Sequence, residues 1–264
     1  MTTKTKIKFG QLGVKSKPFF KTVRVNLKDG KQTTLKQVFI KRRALFPRLV
    51  SFDKLTRLEP WCRKNNVMYA VNGGFYGTEM NSIKKGDQAG ELWIEGDKLA
   101  ETESGFERGC LHVSTEGILS IDRRGLFPQD ISGSLLEAGP LLVKEGVSLL
   151  EGVSDPEGFS AEAAKFDGDI IVGRHPRAAI ATNEEFIVLV AAEGRKSAEA
   201  GLSLLEMAEY LKNIGMNDAL NLDGGSAVSL IYEGRLQNKP GMDRDQGYKK
   251  FPHGRPIKTA IIFT

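Results

Sequence analysis

The stretch Asn-Leu-Asp-Gly-Gly-Ser at residues 221–226 ends a short apolar segment on a carboxylate, Asp223, followed by two glycines. Because Asp disfavours strands and a Gly pair weakens them, a strand is predicted to stop at this carboxylate. A helix is predicted just before it, since apolar residues recur at helical spacing over residues 204–214 behind a capping-box pair, Ser203 and Glu206. The strand end is therefore expected to present an ionised side chain beside open backbone.

The same arrangement occurs earlier in the chain. Apolar residues from Ser51 to Cys62 indicate a helix, residues 68–71 a strand, and Asn-Gly-Gly-Phe-Tyr follows at residues 72–76. Each glycine pair alone is compatible with a simple tight turn. Their shared context, an Asn or Asp after an apolar strand, favours a common site, and we expect Asn72 and Asp223 to lie close together.

Composition indicates an ordinary folded protein. The 264 residues are enough for a full core, and no Pro-rich or Ser-rich linker divides them. We expect residues 1–17 to form a basic N-terminal extension and residues 18–264 to form one domain. Apolar content of 40% and charged content of 27% argue against extensive disorder.

The charge and hydropathy of the sequence indicate which kinds of partner and which cell compartment to expect. The excess of 38 basic over 33 acidic residues is small, which argues against nucleic-acid binding and favours anionic small molecules. No apolar run reaches the roughly 18 residues of a membrane span, and no signal-like segment opens the chain. The sequence as given is expected to be cytoplasmic, or secreted if a leader was removed. Its oligomeric state is not readable from the sequence.

Recurrent turn signals predict many hairpins. Alternating apolar residues flank Gly30, Gly96 and Gly117, and residues 186–192 form a continuous apolar run typical of a buried strand. Residues 151–173 are polar and glycine-rich, and we expect a surface loop with a short helix near residues 161–166. The predicted class is α+β: a single mixed-sheet domain rich in antiparallel hairpins with a few packed helices.

Five short motifs, in this order, resemble those of the phosphodiester glycosidase family. They are Asn-Gly-Gly-Phe-Tyr at 72–76, Ala-Gly-Pro at 138–140, Pro-Arg at 176–177, Glu-Gly-Arg at 193–195 and Asn-Leu-Asp-Gly-Gly at 221–225. The resemblance spans about residues 20–264, so residues 18–264 would be the catalytic domain. Departures occur at Ala178, Ala227 and Glu193, where relatives commonly carry Thr, Ser and Asp.

The resemblance implies a hydrolase that cleaves a sugar-1-phosphodiester at the anomeric C–O bond. It would release a sugar, with N-acetylglucosamine as a candidate, and a phosphomonoester from an anionic small-molecule or glycan phosphodiester substrate. The departing phosphate has a second pKa of about 6, so a cationic clamp matters more than a strong general acid. The alternative is a non-catalytic module that binds a sugar phosphate or a nucleotide.

Asp223 is the best-placed carboxylate to stabilise an oxocarbenium-like transition state or to activate water. Arg177 is the first candidate for the phosphate clamp, with a structural ion pair as the alternative. Glu193 and Glu137 are candidates for a second carboxylate, and solvated surface positions are the alternative for both. Asn72 would hold a sugar hydroxyl or a water, unless it caps the glycine turn.

Further residues are expected to bind the substrate. Backbone N–H groups of four glycines would donate to the anion, and polar or aromatic side chains would surround the sugar and phosphate: Gly73, Gly74, Gly224, Gly225, Ser226, His175, Arg195, Arg255 and Tyr76. Three scattered His and two Cys argue against zinc. No cofactor is certain, although a hard cation such as Ca²⁺ or Mg²⁺ would be compatible with Asp223.

Overall fold

The computed structural model describes residues 17–264, except residues 79–80, 103, 154, 163, 167–169, 240–241, 244–248 and 252. Its two α-helices are α1 (Leu58–Lys64) and α2 (Leu204–Asn213). The strands are β1 (Phe19–Asn26), β2 (Gln32–Lys41), β3 (Pro47–Thr56), β4 (Tyr69–Asn72), β5 (Leu92–Ile94), β6 (Asp97–Ala100), β7 (Gly109–Val113), β8 (Leu119–Arg123), β9 (Ser134–Glu137), β10 (Leu141–Lys144), β11 (Val147–Ser148), β12 (Arg177–Thr182), β13 (Phe186–Ala192), β14 (Asp218–Leu222), β15 (Leu230–Tyr232), β16 (Arg235–Leu236), β17 (Met242–Asp243), β18 (Lys249–Lys250) and β19 (Ile257–Phe263).

These strands form three main sheets. A seven-stranded sheet has the order β1-β2-β13-β12-β14-β10-β11. The β4 sheet has the order β16-β15-β4-β19-β3, and the β9 sheet has the order β6-β5-β9-β7-β8. Strands β17 and β18 pair separately. Every described strand pair is antiparallel, which confirms the expected hairpin-rich architecture, while the two short α-helices in the described part make the fold predominantly β.

The central strand β13 contributes side chains to two hydrophobic cores, one on each face of its sheet. Its seven residues are all buried, and successive side chains point to opposite faces. Leu189 packs into the core shared with the β4 and β9 sheets. Val188 packs on the other face, with Met207 and Leu211 of α2. The predicted buried strand and the predicted helix are therefore confirmed and pack against each other.

Two local predictions are wrong. Residues from Ser51 onward do not form a helix, because β3 runs to Thr56 and pairs with the C-terminal strand β19. The helix α1 begins only at Leu58. In the described part of the loop 151–173, a 3-10 turn at Ser160–Glu162 is found where a helix was expected at residues 161–166. Long-range pairing decided the first case, since the same apolar residues also suit a half-buried strand.

Strand register gathers the motifs at one edge of the seven-stranded sheet. Arg177 pairs with Ala192, the last residue of β13, and Ala178 pairs with Leu222, the last residue of β14. The Pro-Arg, Glu-Gly-Arg and Asp-Gly-Gly motifs therefore leave neighbouring strands at the same edge. Strand β4 ends at Asn72 and brings the Asn-Gly-Gly motif there from the second sheet.

Candidate active site

The two glycine motifs are joined by direct hydrogen bonds. Asn72 Nδ2 donates to the carbonyl oxygen of Asp223 at 2.8 Å, and the Asp223 N–H donates to the Gly73 carbonyl at 3.0 Å. The expected proximity of Asn72 and Asp223 is thus confirmed. Asn72 Oδ1 accepts from the Ser229 N–H at 3.0 Å, and the side chain is completely buried. Asn72 therefore orients the Asp223 backbone and does not reach a sugar hydroxyl, contrary to the sequence expectation.

Three of the four glycine N–H groups that were expected to bind an anion are used inside the protein. Gly73 and Gly74 donate to Thr259 O and Thr259 Oγ1 at 2.8 and 3.1 Å, and Gly225 donates to Pro176 O at 2.8 Å. The glycines are needed in these loops because there is no room for a side chain. A Cβ on Gly73 would lie 2.4 Å from Thr259 Oγ1.

Most of the predicted site residues line one cavity of about 150 Å³. They come from four motifs and the segment that precedes β19: Tyr76, His175, Arg177, Arg195, Asp223, Gly224, Gly225, Ser226 and Arg255. Asp223 is the single carboxylate among the described lining residues, and three arginines share the cavity with it. The other predicted site residues, Asn72, Gly73, Gly74, Glu137 and Glu193, are not among the residues that line it.

Arg177 lines the cavity and also organises its wall. It is 2% exposed. Its Nε donates to Leu202 O at 3.0 Å, and its Nη2 donates to Ile170 O and Gly173 O, both at 2.7 Å. The Nε and Nη2 groups, which were predicted to donate to a phosphate, thus donate to backbone carbonyls of the protein. The guanidinium remains at the site as a positive charge and fixes the loop that contains Ile170.

Arg195 and His175 form a pair at the cavity. The backbone of Arg195 is left-handed, with φ of 55°, and its Nη2 lies 3.2 Å from His175 Nδ1. Because a guanidinium only donates, Nδ1 accepts this bond and a neutral ring carries its proton on Nε2. A Cβ on Gly225 would lie 3.1 Å from Arg195 Nη1, so the glycine makes room for this guanidinium.

Arg255 links the start of the last strand to the Asp-Gly-Gly loop. Its Nη1 donates to Ser226 Oγ at 3.0 Å, and its guanidinium lies 6.0 Å from the centre of the Tyr76 ring. The hydroxyl of Tyr76 donates to Pro256 O at 2.8 Å, and the side chain is almost wholly buried. Tyr76 therefore supports Arg255 and offers little open ring surface to a sugar.

The two candidates for a second carboxylate lie outside the residues that line this cavity. Glu193 is buried, accepts from the Lys239 N–H at 2.8 Å, and pairs with Lys196 Nζ at 3.4 Å. Glu137 is buried in a second charged cluster, where its Oε1 accepts from Thr102 Oγ1 at 3.1 Å, and burial raises its pKa. Neither side chain is placed as a direct partner of Asp223, because both point into the protein.

Several lining residues were missed as individuals, namely Thr78, Asn81, Lys165, Phe166 and Ile170. They lie in the loops 76–90 and 151–173, outside the five motifs that the sequence analysis singled out. Polar loop residues carry no periodic signal that distinguishes a lining side chain from a solvated one. A further loop, residues 238–254, is described only in part.

The donor set does not suit a metal ion. Among the described residues, no group of three or more His, Cys, Asp or Glu side chains is arranged to hold one. The cavity offers Asp223 beside several cationic groups, which oppose a hard cation. Elsewhere in the described part, no helix has the length and apolar character needed to cross a membrane.

Comparison with known proteins agrees with the motif order. The sequence model of the phosphodiester glycosidase family matches residues 65–264. The chain belongs to the phosphodiester glycosidase family. Within this family it is 25% identical over 204 residues to N-acetylglucosamine-1-phosphodiester alpha-N-acetylglucosaminidase of Mus musculus, and 24% identical over 216 residues to the Homo sapiens protein. These matches cover 73% and 77% of this chain but 36% and 39% of the relatives, so the chain spans little more than a third of their length.

Solved structures share the fold of this chain. The zebrafish N-acetylglucosamine-1-phosphodiester alpha-N-acetylglucosaminidase catalytic domain, auto-inhibited by its pro-peptide, superposes with a TM-score of 0.71 at 15% identity, covering 94% of this chain and 82% of that one. A hypothetical protein from Synechocystis gives 0.67 at 19% identity, covering 94% and 62%. At these identities the likeness concerns the fold alone.

Proposed function

We propose that the protein hydrolyses a sugar-1-phosphodiester at the anomeric carbon. Water adds to that carbon while its bond to the phosphate oxygen breaks, the bonding electrons leave with the phosphomonoester, and the water proton passes to a base or to solvent. The observation that carries the proposal is the cavity in which Asp223 lies beside Arg177, Arg195 and Arg255. This set has one anionic group for the sugar and several cationic groups for the phosphate.

Asp223 is assigned the role at the sugar. Its backbone is fixed by Gly73 and Asn72, so the carboxylate is presented from a rigid turn. A negative charge stabilises the oxocarbenium-like transition state or activates the attacking water. Because the phosphomonoester is a good leaving group, this chemistry does not require the second carboxylate that ordinary glycoside hydrolysis uses.

The arginines are assigned the role at the phosphate. Charge-assisted hydrogen bonds from guanidinium groups strengthen as negative charge develops on the leaving oxygen, which is the requirement for transition-state stabilisation. Arg195 and Arg255 are anchored by side chains, His175 and Ser226, whereas Arg177 is anchored by three backbone carbonyls. We therefore assign the direct phosphate contacts to Arg195 and Arg255, and long-range charge to Arg177.

N-acetylglucosamine is the sugar we propose, because the mammalian relatives are named for it. Two observations support a different function. Asp223 stands without a second carboxylate among the described lining residues, and Ala227 lines the cavity where relatives commonly carry Ser. A module that binds sugar phosphates or nucleotides without cleaving them would have the same cavity.

The test is phosphomonoester release from a panel that includes N-acetylglucosamine-1-phospho-methylmannose and UDP-sugars. Asp223→Asn keeps both backbone hydrogen bonds and removes the charge, so we expect kcat/KM to fall by about 10²- to 10⁴-fold. Asp130→Asn, which changes an exposed carboxylate elsewhere, is the matched control and should retain activity. Ligand binding without turnover, equal in wild type and Asp223→Asn, would instead establish the binding module.

A further inference from the structure

A buried arginine outside the cavity contacts the segment that forms one cavity wall. Arg108 precedes β7 and is 3% exposed. Its guanidinium carbon lies 3.8 Å from the centre of the Phe159 ring and 4.8 Å from that of Phe166, and its Nη2 donates to Glu162. Phe166 lines the cavity. The other oxygen of Glu162 accepts from Lys165 Nζ at 3.1 Å, and Lys165 also lines the cavity.

We propose that Arg108 is a positioning residue for the candidate active site, which holds Lys165 and Phe166 in the cavity wall through Glu162 and the ring stack. The inference rests on the proposed function, because it makes this wall a part of the substrate-binding surface. Sequence reasoning gave no signal for Arg108, which belongs to none of the five motifs.

The opposite side of Arg108 is anchored in the β9 sheet. Its Nε donates to Ser104 Oγ at 3.2 Å and lies 3.8 Å from Glu137 Oε1. Glu137 is held in turn by the Glu91 N–H at 3.3 Å and by Thr102. Glu137, which was predicted as a catalytic carboxylate, thus helps to anchor Arg108. Two contacts separate it from the cavity, one with Arg108 and one between Arg108 and the lining residue Phe166.

The aromatic part of the wall is continuous. The rings of Phe159 and Phe166 are 4.8 Å apart in an edge arrangement, and both approach Phe75, at 5.7 and 5.1 Å. Phe75 lines the cavity beside the Asn-Gly-Gly loop. A planar guanidinium can stack on these faces and donate in its plane to Glu162, whereas the point charge of Lys cannot do both.

Charge is the feature that a purely structural role does not require. A buried ion pair is often replaced by apolar residues of similar volume without loss of stability, so packing alone gives no reason for Arg at this position. Here the charge fixes Glu162, and Glu162 fixes Lys165. Nearby positive charge and hydrogen bonds outweigh burial and lower the pKa of Glu162, which keeps this bridge ionised.

The first readout needs no substrate. The acylation rate of Lys165 in the folded protein, measured by mass spectrometry, should rise about five-fold in Arg108→Lys and in the milder variant Glu162→Gln. Arg124→Lys is the matched control, because Arg124 pairs with buried Glu91 at 2.5 Å beside the same sheet but contacts no described lining residue. Lys144, which is paired with Asp122 at 2.6 Å, is the internal reference in each sample.

The second readout is kinetic. In Arg108→Lys and Glu162→Gln, KM for a sugar-1-phosphodiester should rise about ten-fold with kcat changed less than about two-fold, because the wall binds ground state and transition state alike. A merely structural role would lower the active fraction and leave KM as in Arg124→Lys.

Two results would overturn the proposal: Lys165 acylation no faster than in Arg124→Lys, or faster acylation with an unchanged KM. If the wild type turns over no substrate of the panel, the proposed function fails by itself. The acylation comparison then decides alone whether Arg108 positions Lys165, so the two failures are distinguishable.

Discussion

At the scale of single residues, Gly73 shows that the site loops need glycine, because a Cβ atom would not fit. Its N–H is bonded to Thr259 O, and a Cβ would lie 2.4 Å from Thr259 Oγ1 and 2.8 Å from Thr259 Cβ. Neither atom can move without disturbing β19, where Thr259 is buried. The Asn-Gly-Gly motif is thus a close approach between a loop and a strand, and its effect on the site is indirect.

Gly73→Ala should therefore destabilise the protein by about 1–3 kcal/mol through overpacking. The measurement is the urea unfolding midpoint at an unchanged m-value. Gly105→Ala is the control, because a Cβ there meets nothing within 4 Å, and surface substitutions of this kind usually stay within about 0.5 kcal/mol. Equal midpoints for the two variants would contradict the steric account.

The sequence can predict that a residue lies at the end of a strand, but it does not show in which direction the side chain points. Asp223 directly follows β14, and Arg195 lies three residues beyond the end of β13, each within a Gly-containing motif whose strand context was clear. Glu193 occupies a similar strand end but is turned inward to Lys239 and Lys196. Its orientation depends on contacts with a distant loop, which no local pattern encodes.

At the scale of elements, the start of α2 is fixed by a local capping box and is then connected to the seven-stranded sheet by an arginine. Ser203 Oγ accepts from the Glu206 N–H at 3.2 Å, and Glu206 Oε2 accepts from the Ser203 N–H at 2.9 Å. Glu206 is also bound by Arg174, whose Nη1 donates to Asp29 in the β1–β2 turn at 2.6 Å. The capping box therefore joins the helix start to the hairpin end.

Removal of the cap should weaken this junction. Ser203→Ala should cost about 1 kcal/mol and lower Tm by about 2–4 °C. The control is Arg57→Ala, at the N-cap of α1, because the Arg57 side chain makes no capping hydrogen bond. Thermal unfolding followed by circular dichroism would refute the capping contribution if both variants melted at the same temperature.

The same comparison explains which elements the sequence could predict. The capping box and apolar spacing of α2 are local signals that agree with the tertiary structure. Residues 47–56 carry a pattern compatible with either helix or strand, and the choice is made by β19, some 200 residues later in the chain. Hairpins such as β1–β2, with Gly30 at φ of 81°, were predictable because their pairing is local.

At the scale of the whole molecule, a buried carboxyl group joins two sheets. Glu157 is 1% exposed, and its carboxylate accepts from the Gly109 N–H of β7 at 2.8 Å and from the Leu141 N–H of β10 at 2.7 Å. No motif pointed to this residue, because it lies in the polar loop 151–173. Such a bridge depends on how separate sheets pack, which one sequence does not reveal.

Glu157 should make stability depend on pH. Burial raises its pKa to about 7, against the opposing effect of its two backbone hydrogen bonds, whereas the unfolded chain titrates near 4.5. The folded state then binds the proton more tightly, so this contribution is complete below about pH 4.5 and is lost as pH rises through about 7. Between pH 5 and 8, the free energy of unfolding should fall by on the order of 1–3 kcal/mol from this group.

The measurement is urea unfolding of wild type and Glu157→Gln across that pH range. The variant should be less stable at pH 5, because an amide nitrogen would face a backbone N–H, but its stability should change less with pH. Other groups, including Glu137 with its raised pKa, titrate in both proteins and cancel in the difference. Parallel pH profiles would show that Glu157 has the same pKa in the folded and unfolded states, and that the bridge between β7 and β10 holds an ionised carboxylate across this pH range.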